Sequence, residues 1–334
     1  MRKFSVLIIG AGNIAQGFDE PETSTSIRTH IKGYQFYHDV FDVKAFCDPN
    51  EDTLRKVTEK WGLKDSYTSI DAIEDFSFDI VSICTPDHTH ASVLKQVIDK
   101  APKVIFLEKP VGMNYEEAKQ VFQDCQEKGI LLLINYSRLF IPAFTDILKY
   151  LSESNNQLLS VDIRYHKGFN HNCSHFINLI VFLIQAEVEK IIITDSIIDY
   201  SENDPTISAI LFMRTKEGQP FKMNIQGVDQ QLLNLTEIDI ISSCRRIIYK
   251  ESKGSHIHFY TRAEYYDGMV LREFIEDKYL NVDYNEAFIN SMGLISNYLN
   301  QNYSKSHLER LQQSFLSTVK LVDQVQQFFI SYTK

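Results

Sequence analysis

The sequence predicts an α/β protein: a doubly wound parallel sheet over residues 1–135, then an α+β domain over 136–334 whose open sheet is largely antiparallel. Three observations predict it. Apolar runs of strand length alternate with helical spacing as far as Asn135, and each run ends in small or polar residues. Beyond Tyr136 the chain becomes strand-rich, with turn signals such as Lys216-Glu217-Gly218-Gln219-Pro220 and Lys253-Gly254 between the runs. The length of 334 residues, with 44% hydrophobic and 23% charged content, suffices for two domains with cores of their own.

Phe4 to Ile9 reads as the first strand. Arg2 and Lys3 precede it, but the run is too short for a secretory signal and ends in glycine. Gly10-Ala11-Gly12-Asn13-Ile14-Ala15 is the GxGxxA form of the dinucleotide fingerprint in its expected place. Gly10 permits the tight turn, Gly12 lets backbone approach a pyrophosphate, and Ala15 lets the helix pack close. A glycine-rich turn without a ligand is the competing reading. The acidic residue due about 20 residues later arrives instead at Asp48, after a second strand from Val43 to Cys47. The polar stretch Phe18 to Thr29, with Pro21, reads as an inserted loop before a helix from about Thr29 to His38, positioned to cover a cofactor or meet a partner subunit. Pro49 and Asn50 follow Asp48 with no basic residue, which suits a free ribose diol and favours NAD over NADP.

Helical spacing runs from Asn50 to Trp61, and a short helix is expected near Ser69 to Glu74. The strand Asp79 to Ile83 ends in Cys84-Thr85-Pro86-Asp87-His88-Thr89-His90, and a helix from His88 to Lys100 leads on to Val104. Val104 to Leu107, bounded by charge and Pro110, reads as a fully buried strand. Glu108 and Lys109 then sit at its carboxyl end, the edge where open α/β sheets bind ligands; a surface pair opening a loop is the plain alternative. A helix from Asn114 to Lys128 stopped by Gly129, then a strand from Ile130 to Asn135, complete the first domain.

In the second domain, strands are expected at Leu158 to His166, Lys190 to Asp199, Thr206 to Arg214, Phe221 to Gln226, Leu233 to Ser242, Arg246 to Lys250 and His256 to Thr261. Helices near Tyr284 to Asn300 and His307 to Tyr332 close the chain. Ile207, Ala209, Leu211 and Met213 alternate as one covered face requires. The strands between Thr206 and Thr261 carry more apolar residues than that face absorbs, so the open face is expected to join subunits into a homodimer or homotetramer.

Composition narrows the function classes. A net charge of -10 without any Lys/Arg block argues against nucleic acid. No apolar stretch reaches the roughly 18 residues that span a bilayer. The five cysteines are odd in number, far apart and without CxxC spacing, which suits a reducing cytoplasm and no zinc site. His88 and His90 have a spacing seen in metal sites but no carboxylate or thiolate to complete one, so no metal is expected. Nucleotide contact suits Thr85, Pro86 and His90 better.

GAGNIA after the first strand, TPDHTH after the fourth, EKP after the fifth, YSRLFIP at the crossover and a histidine inside HNCSHFINL together resemble the Gfo/Idh/MocA oxidoreductases over nearly the whole chain. The resemblance implies an N-terminal Rossmann domain and a C-terminal α/β domain whose open sheet often makes the subunit interface. It also implies hydride transfer between NAD(H) and a carbinol or keto carbon of a sugar, polyol or nucleotide sugar. It places the catalytic lysine on Lys109 and the histidine of the DxGxHxxD motif on His175, with cofactor contacts among Gly10, Gly12, Asn13, Ile14, Asp48, Thr85, Pro86, His90, Glu108 and Lys109. The motif is altered: His171 and Asn178 stand at its acidic positions, Cys173 at its glycine, and Leu139 at the second arginine of YxRRFxP. Some relatives are catalytically silent NAD-binding regulators, and NAD-assisted glycoside cleavage is a third reading. A sensor needs no proton-transfer pair, so retention of Lys109 and His175 favours an enzyme.

The chemistry can be argued without the name. Oxidising a carbinol requires a base for the hydroxyl proton, and the reverse requires an acid. Desolvation and a neighbouring positive charge depress a lysine's pKa, so Lys109 beside a cationic nicotinamide serves either direction. His175 opens an apolar helix, with Ser174 expected as its N-cap; the positive helix end favours a neutral imidazole that orients the substrate hydroxyl or shares its proton. Asn178, at i+3, reaches the same ligand. Tyr136, Arg138 and His171 are further substrate candidates, against an interdomain ion pair for Arg138 and a plain polar loop for His171.

Overall fold

Short apolar runs bounded by glycine, proline and charge become a six-stranded parallel sheet: β1 (Phe4–Ile9), β2 (Phe41–Cys47), β3 (Asp65–Tyr67), β4 (Ile80–Ile83), β5 (Val104–Leu107) and β6 (Leu131–Ile134). The computed structural model describes residues 2–21, 26–152, 156–251, 254–267 and 269–333. Strand order is β3-β2-β1-β4-β5-β6. It reverses direction between β1 and β4, and ligands of such sheets bind outside the strand ends at that switch. β4, β5 and β6 are buried throughout, which is why they read as unbroken apolar runs.

The helices between these strands are α1 (His30–Phe36), α2 (Glu51–Trp61), α3 (His90–Asp99) and α4 (Tyr115–Glu127). Side chains set their ends. Asn50 accepts from the Thr53 amide at 2.9 Å, Gly62 stops α2 in the left-handed region, and Asn114 with Glu117 forms a capping box. The fingerprint opens only a five-residue π turn, Asn13–Gly17, and α1 begins at His30. The inserted loop accounts for the gap. Its ends meet at buried Asp19, which accepts from the Arg28 amide and the Thr29 hydroxyl, each at 2.8 Å, and from Ser26 Oγ at 3.1 Å. Residues 22–25 of that loop lie outside the described residues. The short helix expected near Ser69 to Glu74 is a 3-10 turn, Ile70–Ala72.

The second unit contains α5 (Pro142–Leu151), β7 (Leu158–Tyr165), α6 (Ser174–Ile184), β8 (Ala186–Ser201), β9 (Asp204–Thr215), β10 (Pro220–Gly227), β11 (Thr236–Ser242), β12 (Arg245–Glu251), β13 (Ser255–Tyr266) and β14 (Val270–Val282). Its eight strands run in the order β14-β13-β12-β11-β7-β10-β9-β8, and every pair is antiparallel except β7 with β10. Ile207, Ala209, Leu211 and Met213 are buried on one face, with Val161, Met223, Ile240 and Ile247. α5 covers part of that face: Phe144 meets Tyr249 at 5.0 Å and Tyr150 meets Phe259 at 4.4 Å between ring centroids. The open face differs in character from the apolar surface expected. Ile210, Phe212, Ile241 and Ile248 are half-buried there. Between them lie Asn224 with Asp162 at 2.7 Å, Arg246 with Asp239 at 2.6 Å and Arg164 with Glu237 at 3.2 Å. Two elements were not anticipated. β14 holds five charged residues from Arg272 to Lys278 and is an edge strand, so it reads as polar; α5 starts at Pro142, favourable at a first helical position but also a common loop signal.

α7 (Asn285–Leu299) and α8 (Lys305–Thr333) end the chain. The chain divides into Met1–Phe140 with Tyr284–Val319, and Ile141–Asp283 with Lys320–Lys334, where the sequence-based division ran unbroken from 136 to 334. The difference has a packing cause. A Cβ on Gly33 of α1 would lie 3.2 Å from Phe288 Cβ and from Met292 Cγ of α7, so the missing side chain admits the apolar face of α7 to the first unit. Among the described residues, no helix is long and apolar enough to cross a membrane.

Candidate active site

In the first unit the candidate residues follow the carboxyl ends of β1, β2, β4, β5 and β6. Gly10 has φ +88°, and a Cβ there would lie 2.7 Å from the Cys84 carbonyl and 2.9 Å from the Thr85 amide. Only glycine allows β1 to turn this close to β4. A Cβ on Gly12 would meet nothing within 4 Å, so no internal contact requires glycine there, and the open space suits backbone approach by a diphosphate. Gly12 and Asn13 are exposed and Ile14 half-buried, at the start of the π turn. Asp48 ties this loop to β2: one carboxylate oxygen accepts from the Ala11 amide at 2.9 Å and the other from the Asn50 amide at 3.0 Å.

Thr85 and Pro86 follow β4, and Thr89 Oγ1 lies 2.9 Å from Thr85 Oγ1. His90 is buried with both ring nitrogens against main-chain carbonyls, Nδ1 on Pro110 at 2.8 Å and Nε2 on Thr85 at 2.9 Å. Its geometry is that of a brace between the ends of β4 and β5.

Glu108 is buried and Lys109 half-buried, immediately after β5. Glu108 Oε1 accepts from His30 Nε2 at 2.8 Å and from Asn135 Nδ2 at 2.7 Å. Burial pushes the Glu108 carboxyl up, but the hydrogen bond from His30 and the charge that ring carries when protonated, the hydrogen bond from Asn135 and the charge on Lys109 outweigh it and hold it below the usual range. His30 and Asn135 escaped the sequence reading. The available signals were a polar residue closing an apolar strand and a histidine opening a helix, neither distinctive. Tyr136 is buried, its ring 6.1 Å from that of Phe315; Arg138 is buried with its guanidinium 5.7 Å from the Tyr284 ring.

In the second unit the candidates follow β7. Lys167 at φ +70° and Gly168 at φ +81° turn the chain, and carboxylates hold the result. Asp204 accepts from the Asn170 and His171 amides, each at 2.8 Å; Asp199 accepts from the Lys167 amide at 2.8 Å and from Thr206 Oγ1 at 2.6 Å. His171 stacks on Tyr200 with centroids 4.6 Å apart. A π turn, Phe169–Cys173, runs directly into α6, which corrects the expected Ser174 cap. Ser174 is the first residue of α6, Cys173 holds the cap position in helical conformation, and no side chain caps the helix. A chain entering already coiled has no extended residue to serve as a cap, and the buried Ser174 hydroxyl has no hydrogen-bond partner among the described residues. His175 is half-buried and Asn178 fully buried one turn later on the same helix. Among the described residues no group of three or more His, Cys, Asp or Glu is placed to hold a metal ion.

Residues 4–136 match the family model GFO_IDH_MocA, described as an oxidoreductase family with an NAD-binding Rossmann fold. The match covers the six parallel strands of the first unit and none of the second. Curated proteins similar to this chain include the scyllo-inositol 2-dehydrogenase (NAD(+)) of Bacillus subtilis, 31% identical over 132 residues, 39% of this chain and 37% of that protein. The myo-inositol 2-dehydrogenase of Thermotoga maritima is 32% identical over 97 residues, 29% of each chain. The chain therefore spans less than two fifths of the length of these curated relatives. A 3-ketoreductase from Actinomadura kijaniata, solved in complex with NADP, shares the fold across 98% of this chain and 97% of its own, with a TM-score of 0.69 at 14% identity.

Proposed function

We propose that the chain is an NAD(H)-dependent oxidoreductase acting on a carbinol or keto carbon of a sugar, polyol or nucleotide sugar. The observation that carries the reading is Lys109, half-buried at the end of a fully buried strand in a domain that matches an NAD-binding family, beside a buried carboxylate held charged by two hydrogen bonds. The inositol dehydrogenases among the relatives support the polyol class. When bound, NAD supplies the hydride acceptor and NADH the donor.

The chain's own residues do the rest. Gly10, Gly12, Asn13 and Ile14 receive the diphosphate against exposed backbone, and Asp48 accepts from the ribose hydroxyls, with Thr85, Pro86 and Glu108 along the same edge. Lys109 Nζ takes the hydroxyl proton in oxidation and returns it in reduction. His175 orients the hydroxyl, and Asn178, His171, Tyr136 and Arg138 select the substrate. Asp48, without a basic neighbour, favours NAD; the relative solved with NADP makes titration of both cofactors the direct check. Tighter binding of NADPH than NADH would overturn the preference.

A screen of NAD(H) with sugars, inositols and nucleotide sugars, read first as thermal stabilisation and then as nicotinamide absorbance, tests the function. Stabilisation by NADH without turnover of any such compound would favour a silent binder. Association through the open sheet face into a homodimer or homotetramer belongs to the same reading, supported by its half-buried Ile210, Phe212, Ile241 and Ile248. Light scattering at the 38.7 kDa of one chain would refute it.

A further inference from the structure

Beneath Glu108 runs a buried hydrogen-bonded chain that the proposed chemistry does not use. Tyr34 Oη lies 2.8 Å from Ser82 Oγ, Ser82 Oγ 3.1 Å from His30 Nδ1, and His30 Nε2 2.8 Å from Glu108 Oε1. His30 and Ser82 are 0% exposed and Tyr34 1%. Buried polar chains hold together only when every member is satisfied, and counting protons gives this one a direction. Burial raises the Tyr34 phenol well above its ordinary range, so it stays protonated and can donate to Ser82. Ser82 has one proton, which goes to His30 Nδ1; a neutral His30 then has one N–H, on Nε2, which goes to Glu108. An imidazolium would aim Nδ1–H at Ser82 Oγ and leave one hydroxyl proton, that of Ser82 or of Tyr34, without an acceptor in the chain. All donors thus point one way, and the charge rests on the Glu108 carboxylate.

We propose that His30 is a positioning residue for Lys109: by donating to Glu108 it keeps a fixed negative charge beside the lysine, which holds Lys109 as an ammonium ready to protonate a keto oxygen. The inference rests on the reading of Lys109 as the proton-transfer group. The titratable and charged groups around Glu108 are His30 from α1, Cys84 at the end of β4 and Lys109 itself. Burial and the Glu108 charge push the Cys84 thiol well above its usual range, so it stays neutral. Phe106 and Phe288 wall the imidazole at 4.9 and 5.1 Å and do not titrate. Asn135 supplies the second hydrogen bond without charge.

Competitive acylation of the full chain, with mass spectrometry of the Lys109 peptide, reads the unprotonated fraction of that amine and needs no substrate. Glu108→Gln and His30→Phe should each raise the Lys109 acylation rate at neutral pH by about tenfold, the effect of one pKa unit. The double variant should go no further, because both changes remove the same charge. His30→Gln, which keeps a donor for Glu108, should stay near wild type, and Lys103 serves as the internal control. If His30→Phe fails to fold, Ser82→Ala carries the test: losing the proton that fixes the imidazole should raise the rate several-fold. A wild-type Lys109 rate in His30→Phe, or in Ser82→Ala where that variant is needed, or multiplying effects in the double variant, would reduce His30 to packing. The result holds whether or not a sugar is turned over, so its failure is distinct from failure of the oxidoreductase reading.

Discussion

The two groups of candidate residues are held in place by different means. In the first unit Gly10, Asp48, Thr85, Glu108 and Lys109 inherit their positions from strand register, because each lies within two residues of the end of a buried parallel strand. In the second unit the turn from Lys167 to Cys173 lies outside any strand, and Asp199 and Asp204 pin its amides one by one. A register is shared by many backbone bonds and survives single changes, whereas a loop pinned by two carboxylates depends on two side chains. On the proposed function, cofactor binding should therefore be robust and substrate selection adjustable by few substitutions.

The sharpest division between the two regions is chemical. Lys109→Met should lower turnover by about two to four orders of magnitude, the usual contribution of a positioned acid or base, with NADH affinity little changed. His175→Ala should cost less in turnover and should also raise KM, because its proposed role is orientation as well as proton sharing. If the methionine variant retains turnover near wild type, Lys109 is a loop residue and the division falls.

The glycines break the comparison within one loop. Gly10→Ala places a Cβ against the Cys84 carbonyl at φ +88°, a clash on top of a backbone cost of about 1–3 kcal/mol, so Tm should fall along with cofactor binding. Gly12→Ala meets no protein atom and should keep Tm while weakening NADH binding. Equal loss of Tm in both would show that the open space at Gly12 serves no ligand.

These residues were legible in the sequence to unequal degrees, for physical reasons. Gly10, Glu108 and Lys109 could be placed because a glycine or a charge at the end of a buried strand contradicts its surroundings. The partners that hold them could not: His30, Ser82 and Asn135 come from separate elements and meet only through sheet order. Asp204 opens β9 more than 30 residues after the loop it fixes, and nothing local marks it. The Ser174 cap was misread because a π turn leaves no sequence signal separate from the helix that follows it. The place of α7 in the first unit rests on contacts between distant segments, Gly33 against Phe288 and Met292, His30 against Phe288 and Asn290 on the Phe140 carbonyl, which nothing local marks.

Loop pinning predicts a smaller, separable effect. Asp204→Asn weakens two charge-assisted bonds to the Asn170 and His171 amides and should cost about 1–3 kcal/mol of stability. KM should rise while NADH affinity stays. A matching loss of NADH affinity would mean that the second-unit loop also governs cofactor binding, against the separation drawn here.

The smallest effect concerns pH and gives each region one carboxylate to compare. Burial pushes Asp199 upward, but the Thr206 hydroxyl and the Lys167 and Gln230 amides outweigh it and leave the carboxyl below its usual range. Asp79 at the start of β4 is likewise raised by burial and lowered further by Lys103 and by the Ser5 amide and hydroxyl. A folded value below the unfolded one, which is about 3.9 for aspartate, means that the unfolded chain binds the proton more readily. The stabilisation is therefore complete above the unfolded value and is lost as pH falls through the folded one. Urea unfolding at pH 7 and pH 3 should show a smaller drop in stability for Asp199→Asn and for Asp79→Asn than for wild type. At pH 7 both variants should be less stable than wild type, since the amide lacks the charge that strengthens these bonds. An unchanged acid drop in Asp199→Asn would mean that the loop amides contribute no net stabilisation, and the account of how the second-unit residues are held would fail at its anchor.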